Sequence, residues 1–123
     1  MRVYIDIVYA DYPDGKSTEA FIIMYVGVLV MWVSKKQTFV STSTLISEFC
    51  IFMPVLKQAI WVKRLLVRLG LEDNTRLIPF YSDSQNALNV FVQRGYTKST
   101  CWINNCYFFV KDEIEKGTIQ LFC

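Results

Sequence analysis

Three acids stand where chemistry could be done: Asp6, Glu48 and Asp83. Asp6 lies within Arg2-Val3-Tyr4-Ile5-Asp6-Ile7-Val8-Tyr9, whose Val, Ile and Tyr content favours a strand. A carboxylate among such neighbours is costly to desolvate unless a cation, a metal or strong donors offset the cost. It is therefore either a strand-end carboxylate satisfied by a nearby Lys, Arg or backbone N–H, or a metal ligand on a rigid strand. Glu48 falls in the first turns of an expected helix, where an acid complements the positive N-terminus or serves a site. Asp83 follows an expected strand and is either a helix N-cap or a group at the carboxyl end of a sheet, where open α/β sheets hold ligands. Acids on three elements of one mixed sheet can converge into a cage of oxygen ligands for Mg²⁺.

The composition narrows the chemistry. The 123 residues include no histidine. That removes the commonest general base, the Ser-His and Cys-His nucleophile pairs, and every His-containing zinc pattern. Any catalysis must run on carboxylates. Cys50, Cys101, Cys106 and Cys123 form no CxxC pair, so they read as thiols of a reducing compartment, cytoplasmic or nuclear. A net charge of +2 is too weak to announce nucleic-acid binding, so such a partner must be read from how charges cluster. With 53% hydrophobic and 15% aromatic residues the chain should fold rather than stay disordered, and its length suits one domain, 1–123, expected to be monomeric. No signal peptide pattern opens the sequence. The longest apolar run, Ala20 to Val33, is short for a membrane span and contains Gly27, so it predicts a two-strand hairpin buried in a core and no membrane partner.

The elements that must position the acids follow from periodicity and punctuation. The first strand should be central and covered on both faces, because both alternating sets are apolar. Pro13 and Asp14-Gly15 mark a reversal, and strands over Glu19 to Tyr25 and Val28 to Val33, hinged near Gly27, complete an antiparallel meander with Ser34-Lys35-Lys36-Gln37 as a polar exit. Leu45, Glu48, Phe49, Phe52, Leu56, Ile60, Leu65 and Leu66 recur near helical spacing, predicting a helix to about Leu69 that Pro54 should kink or split. Lys57, Lys63, Arg64 and Arg68 fall largely on its polar side. Gly70 ends it, and Arg76 to Tyr81 reads as a strand leading into a short helix capped by Ser82 or Asp83. Gln93 to Ser99 reads as a loop, Asn104 or Asn105 opens a last helix through Glu115, and Thr118 to Phe122 forms a terminal strand. A β-α unit after the meander implies a mixed sheet with parallel neighbours.

The blocks Tyr4-Ile5-Asp6, Pro13-Asp14-Gly15-Lys16-Ser17-Thr18, Trp32-Val33-Ser34-Lys35-Lys36-Gln37, Ser43-Thr44 with Glu48-Phe49, Trp61 to Leu66 and Ser82-Asp83-Ser84-Gln85-Asn86-Ala87 occur in one order. That order resembles the ribonuclease H domain ending the polyprotein of copia-type retrotransposons. Tyr107 to Lys111 and Ile114 to Gly117 are similar to its last helix. The resemblance covers nearly the whole chain. It implies a ribonuclease H-like α/β fold: a mixed five-stranded sheet, first three strands antiparallel, flanked by helices. It also implies hydrolysis of the RNA strand of RNA/DNA hybrids by two Mg²⁺ or Mn²⁺ ions on four carboxylates, and a possible reverse transcriptase domain ahead of it.

Position by position, Asp6, Glu48 and Asp83 match the first three acids of that family. Asn104 stands at the fourth and Trp102 where a histidine is common. An amide oxygen brings no negative charge, so the second ion is expected to bind more weakly and activity to be reduced. Val8 and Ile46 replace acids that the family often carries, and Pro54 lies in a helix that is normally unbroken in the family. These departures describe a decayed or repurposed copy, and a catalytically inactive nucleic-acid-binding module is the alternative. Lys35, Lys36, Arg94 and Lys98 are candidates for phosphates, unless they serve only solubility, and Ser84, Gln85 and Asn86 at a helix start for backbone or sugar oxygens. Selectivity would come from the 2′-hydroxyl and the groove of the hybrid.

Overall fold

The fold is seen in a computed structural model that describes residues 1–38, 40, 44–83 and 101–122, with only the backbone described at 44–49 and 101–107. The described elements are β1 (Arg2–Val8), β2 (Thr18–Tyr25), β3 (Val28–Lys36), α1 (Thr44–Arg68), β4 (Ile78–Ser82), α2 (Cys101–Glu115) and β5 (Ile119–Phe122). They build one mixed sheet in the order β3-β2-β1-β4-β5. The β1–β2 and β2–β3 pairs are antiparallel, while β4 is parallel to both β1 and β5. This is the ribonuclease H-like arrangement that the resemblance implied.

Local chemistry explains the punctuation. The β2–β3 hairpin turns through only Val26 and Gly27, both with positive φ (50° and 74°), between the paired residues Tyr25 and Val28. Two consecutive positive φ angles are what a two-residue type I′ turn requires. Helix α1 is capped just past its end by Gly70, whose φ is 74°. The Leu71 N–H donates to the Leu66 carbonyl at 2.9 Å and the Gly70 N–H to the Val67 carbonyl at 3.0 Å, the paired bonds of a Schellman cap.

The core lies on one face of the sheet only. Val3, Ile5, Phe21, Ile23, Ile78, Phe80 and Ile119 point to that inner face, against Ile51, Phe52, Val55, Leu56, Ala59, Val62 and Leu66 of α1 and Val110 of α2, all buried. The α1 positions recur at steps of three and four, so they form one stripe.

Several expectations need correction. β1 is central but not covered on both faces: Val3 and Ile5 are buried, whereas Tyr4 and Val8 are exposed. The β2–β3 hairpin is not a buried one either, since β3 is an edge strand, Trp32 is 67% exposed, and Val28, Leu29 and Val30 are exposed as well. The supposed polar exit is strand as far as Lys36. In each case Tyr, Val and Trp suit an exposed pleat as well as a core, so residue type alone did not reveal which face is dry. Pro54 does not split α1. It sits on the exposed side of one continuous helix, where water can satisfy the carbonyl that loses its donor. Lys63 is buried rather than on the polar side, and its ammonium donates to the Arg76 carbonyl. Helix α2 starts at Cys101, before the expected Asn104 or Asn105. The expected helix after Asp83 and the loop 93–99 fall outside the described residues.

Candidate functional site

The parallel register Tyr4↔Tyr81 and Ile5↔Ser82 between β1 and β4 stops just short of Asp6, which still pairs with Ala20 of β2, and of Asp83, the first residue past β4. Both acids are exposed, and both line one hollow of about 340 Å³ with Tyr4, Ile5, Tyr81 and Ser82. The Ile7 N–H donates to Asp6 Oδ1 at 2.8 Å, so a backbone donor holds one carboxylate oxygen. That satisfies part of the ordinary reading of Asp6. Among the described residues no lysine or arginine completes it with an ion pair.

The chain trace brings the other two positions to the same edge. Lys36 ends β3 opposite Thr18, and the Gln37 N–H donates to the Ser17 carbonyl at 2.8 Å, beside the carboxyl end of β1. The loop into α1 leaves from there. At the far edge the Tyr25 hydroxyl donates to the Leu71 carbonyl just past the helix, so α1 runs antiparallel to β1. The backbone of Glu48, in the second turn, therefore lies toward the Asp6 edge. Helix α2 ends near the start of β5, where Ile119 pairs with Ile78. Its 15 residues span roughly 22 Å, which returns the backbone of Asn104, in its first turn, to the same edge. The side chains of Glu48 and Asn104, and all of Ser84, Gln85, Asn86, Arg94 and Lys98, lie outside the described residues.

The two described basic candidates are engaged within the protein. Lys35 Nζ is 3.2 Å from Glu19 Oε1, and the buried Glu19 also accepts a bond from Gln37 Nε2 at 3.2 Å. Lys36 Nζ is 2.7 Å from Asp14 Oδ2 and lies 4.4 Å from the centre of the Tyr12 ring. The hydrogen bond from Lys36 holds the Asp14 carboxyl below its ordinary value, helped by the Lys16 N–H. Both lysines keep substantial exposure, so they rim the acid edge as screened charges.

Sequence reasoning missed Tyr4 and Tyr81. They share the acids' hollow and stack on each other, with ring centres 5.1 Å apart. The signal was present: Tyr4-x-Asp6 and Tyr81-x-Asp83 repeat one spacing of two, which puts each pair on one face of its strand. A larger hollow, about 450 Å³, lies at the opposite edge among Arg2, Tyr25, Leu71, Glu72 and Arg76 and holds no acid pair.

Two neighbouring carboxylates opening to water suit a hard divalent cation, since Mg²⁺ is commonly held by one or two carboxylates with waters completing its shell. Among the described residues no group of three His, Cys, Asp or Glu ligands gathers, Glu48's side chain standing outside that set. Nor, among them, is any helix long and apolar enough to cross a membrane.

No protein-family model matches the chain. Among curated proteins it is similar to the retrovirus-related Pol polyprotein from transposon TNT 1-94 of Nicotiana tabacum, with 27% identity over 111 residues. The match takes in 90% of this chain and 8% of that relative, so the chain spans a small part of the polyprotein's length. The similarity supports a retrotransposon polyprotein as the origin of this module.

Proposed function

We propose that the module is a metal-dependent endoribonuclease of the ribonuclease H type, acting on the RNA strand of RNA/DNA hybrids, with Asp6, Glu48 and Asp83 as ligands for Mg²⁺ or Mn²⁺. The observation that carries this reading is that Asp6, within β1, and Asp83, just past the end of the neighbouring parallel β4, line one hollow. Two carboxylates placed side by side repel, and a divalent cation turns that repulsion into coordination. The ions, when bound, supply an activated water and stabilise the leaving oxygen. The chain's part is to hold oxygens rigidly: β1 and β4 fix two of them, and the Ile7 N–H restrains the Asp6 carboxylate. Lys36 and Lys35 at the rim contribute to phosphate attraction, weakened by their own acid partners. A reverse transcriptase domain elsewhere in the polyprotein is the partner this reading implies.

A second reading is favoured by one residue. Asn104 supplies an amide where a fourth acid would add charge, and a module so altered binds hybrid without turning it over. The test is hybrid cleavage with Mg²⁺ and with Mn²⁺ by the parent, Asp6→Asn, Asp83→Asn and Asn104→Asp. Cleavage by the parent that Asp6→Asn and Asp83→Asn abolish, and that Asn104→Asp increases, supports the enzyme. Cleavage by Asn104→Asp alone supports the binding module. Neither cleavage nor hybrid binding by any of them overturns both.

A further inference from the structure

We propose that Tyr4 and Tyr81 are substrate-binding residues whose hydroxyls donate hydrogen bonds to the phosphate next to the one held at Asp6 and Asp83, an inference that rests on the nuclease reading of their shared hollow. Both tyrosines line that hollow with the two acids. The twin Tyr-x-Asp spacing sets each ring two residues before its acid, ~7 Å back along its strand. Neighbouring phosphates of one nucleic-acid strand stand about that far apart. A strand with one phosphate over the acids, running back along β1 and β4, therefore carries the next phosphate over the tyrosines.

Ring geometry decides which part of each tyrosine meets the strand. Tyr81 lies between Tyr4 on β1 and Phe122 on β5, with ring centres 5.1 and 5.2 Å away and planes only 18° and 21° from parallel. Both of its faces are therefore covered. Tyr4 has Tyr81 on one side and Ile22, its cross-strand partner on β2, on the other. Neither ring keeps a free face on which a base could stack, and the hydroxyls are what remains for a ligand. Among the described residues neither hydroxyl takes part in a hydrogen bond, whereas that of Tyr25, at the opposite edge, is held by the Leu71 carbonyl. Strand side chains stand roughly perpendicular to their sheet, so two nearly parallel rings on neighbouring parallel strands carry their hydroxyls side by side, as two oxygens of one phosphate require. Stacking also fixes the rings in advance, which lowers the ordering cost of binding.

Charge favours a phenol at this place. A neutral O–H holds a phosphate oxygen without pairing with Asp6 or Asp83, where a lysine or arginine would compete with the metal for the carboxylates. The described basic candidates at this edge, Lys35 and Lys36, already have acid partners of their own. Precisely placed hydroxyls of this kind are what orient a ligand in a pocket.

Fluorescence anisotropy of a labelled RNA/DNA hybrid, with Ca²⁺ as the bound ion, measures the contact in the parent, Tyr4→Phe and Tyr81→Phe, which keep the rings and lose only the oxygens. Each variant should bind hybrid roughly tenfold more weakly, the loss of one hydrogen bond to a charged group, with thermal melts and Mn²⁺ binding unchanged. A second arm places a 2′-deoxynucleotide at each step of the RNA strand in turn, joined by an ordinary phosphate or by a methylphosphonate. At one step the methylphosphonate should weaken the parent about tenfold against its phosphate control, and leave Tyr4→Phe with Tyr81→Phe unaffected. Unchanged affinity in either single variant, from a parent that binds Mn²⁺ and hybrid, overturns this proposal alone. A loss that follows the missing 2′-hydroxyl instead of the phosphate charge overturns it too, and assigns the pair to the sugar. A parent that binds no hybrid also overturns it, and its Mn²⁺ titration then decides whether the metal site stands.

Discussion

Replacing Val26 by asparagine should stabilise the fold, because this residue bears a cost that nothing around it repays. Val26 adopts φ 50° in a two-residue turn and is 80% exposed, so its side chain contributes little burial. An L-residue in the left-handed region costs roughly 1–2 kcal/mol, and β-branching makes it worse. Asparagine tolerates that region, and Asn-Gly is the preferred pair for a type I′ hairpin. Gly27 already supplies the second position, with φ 74° and open space around it. Recovering about half of the strain gives a gain of about 0.5–1 kcal/mol, or ~2–6 °C in Tm for a domain of this size. Val26→Gly should gain less, since the added freedom of the unfolded chain takes back ~0.4–1 kcal/mol. Thermal and urea unfolding followed by circular dichroism at low micromolar concentration would measure both. A Val26→Asn protein no more stable than its parent refutes the assignment of strain to this turn.

The one-sided core makes a paired prediction: Phe52→Ala should cost about 3–5 kcal/mol and Trp32→Ala under ~0.5 kcal/mol, and equal losses would mean both faces are packed. Asp14, held low by Lys36, adds stability that is fully present above the unfolded carboxyl value of 3.8 and disappears as pH falls through the lower folded one. Urea midpoints between pH 5 and pH 2 should therefore fall less steeply in Asp14→Asn, and an unchanged acid limb would show the Lys36 contact to be idle. Lys116, raised by its bond to Asp112, gives the opposite sign: its contribution stands below the unfolded value of 10.5 and is lost as pH rises through the raised one, so Lys116→Met should flatten the alkaline limb of the same curve.

Much of the fold was legible because punctuation is local. Gly27, Gly70 and Gly117 all have positive φ at the chain reversals and helix ends read from the sequence, and the mixed sheet followed from a meander leading into a β-α unit. What stayed hidden depended on neighbours far along the chain. Tyr4, Ile22 and Trp32 look like core residues until the helices are seen to occupy the other face. Lys63 looked solvated until the Arg76 carbonyl was found within its reach. At the site, the adjacency of Asp6 and Asp83 was implicit in the twin Tyr-x-Asp spacing, but only the parallel pairing of β1 and β4 makes the two residues neighbours.

The account rests on acids from separate elements sharing a divalent ion. Manganese titration followed by electron paramagnetic resonance measures this directly in the parent, Asp6→Asn, Glu48→Gln and Asp83→Asn. The account predicts saturable Mn²⁺ binding by the parent, displaced by Mg²⁺ and weakened by about tenfold or more in each variant. Binding that is absent in the parent, or that survives all three substitutions unchanged, would contradict it.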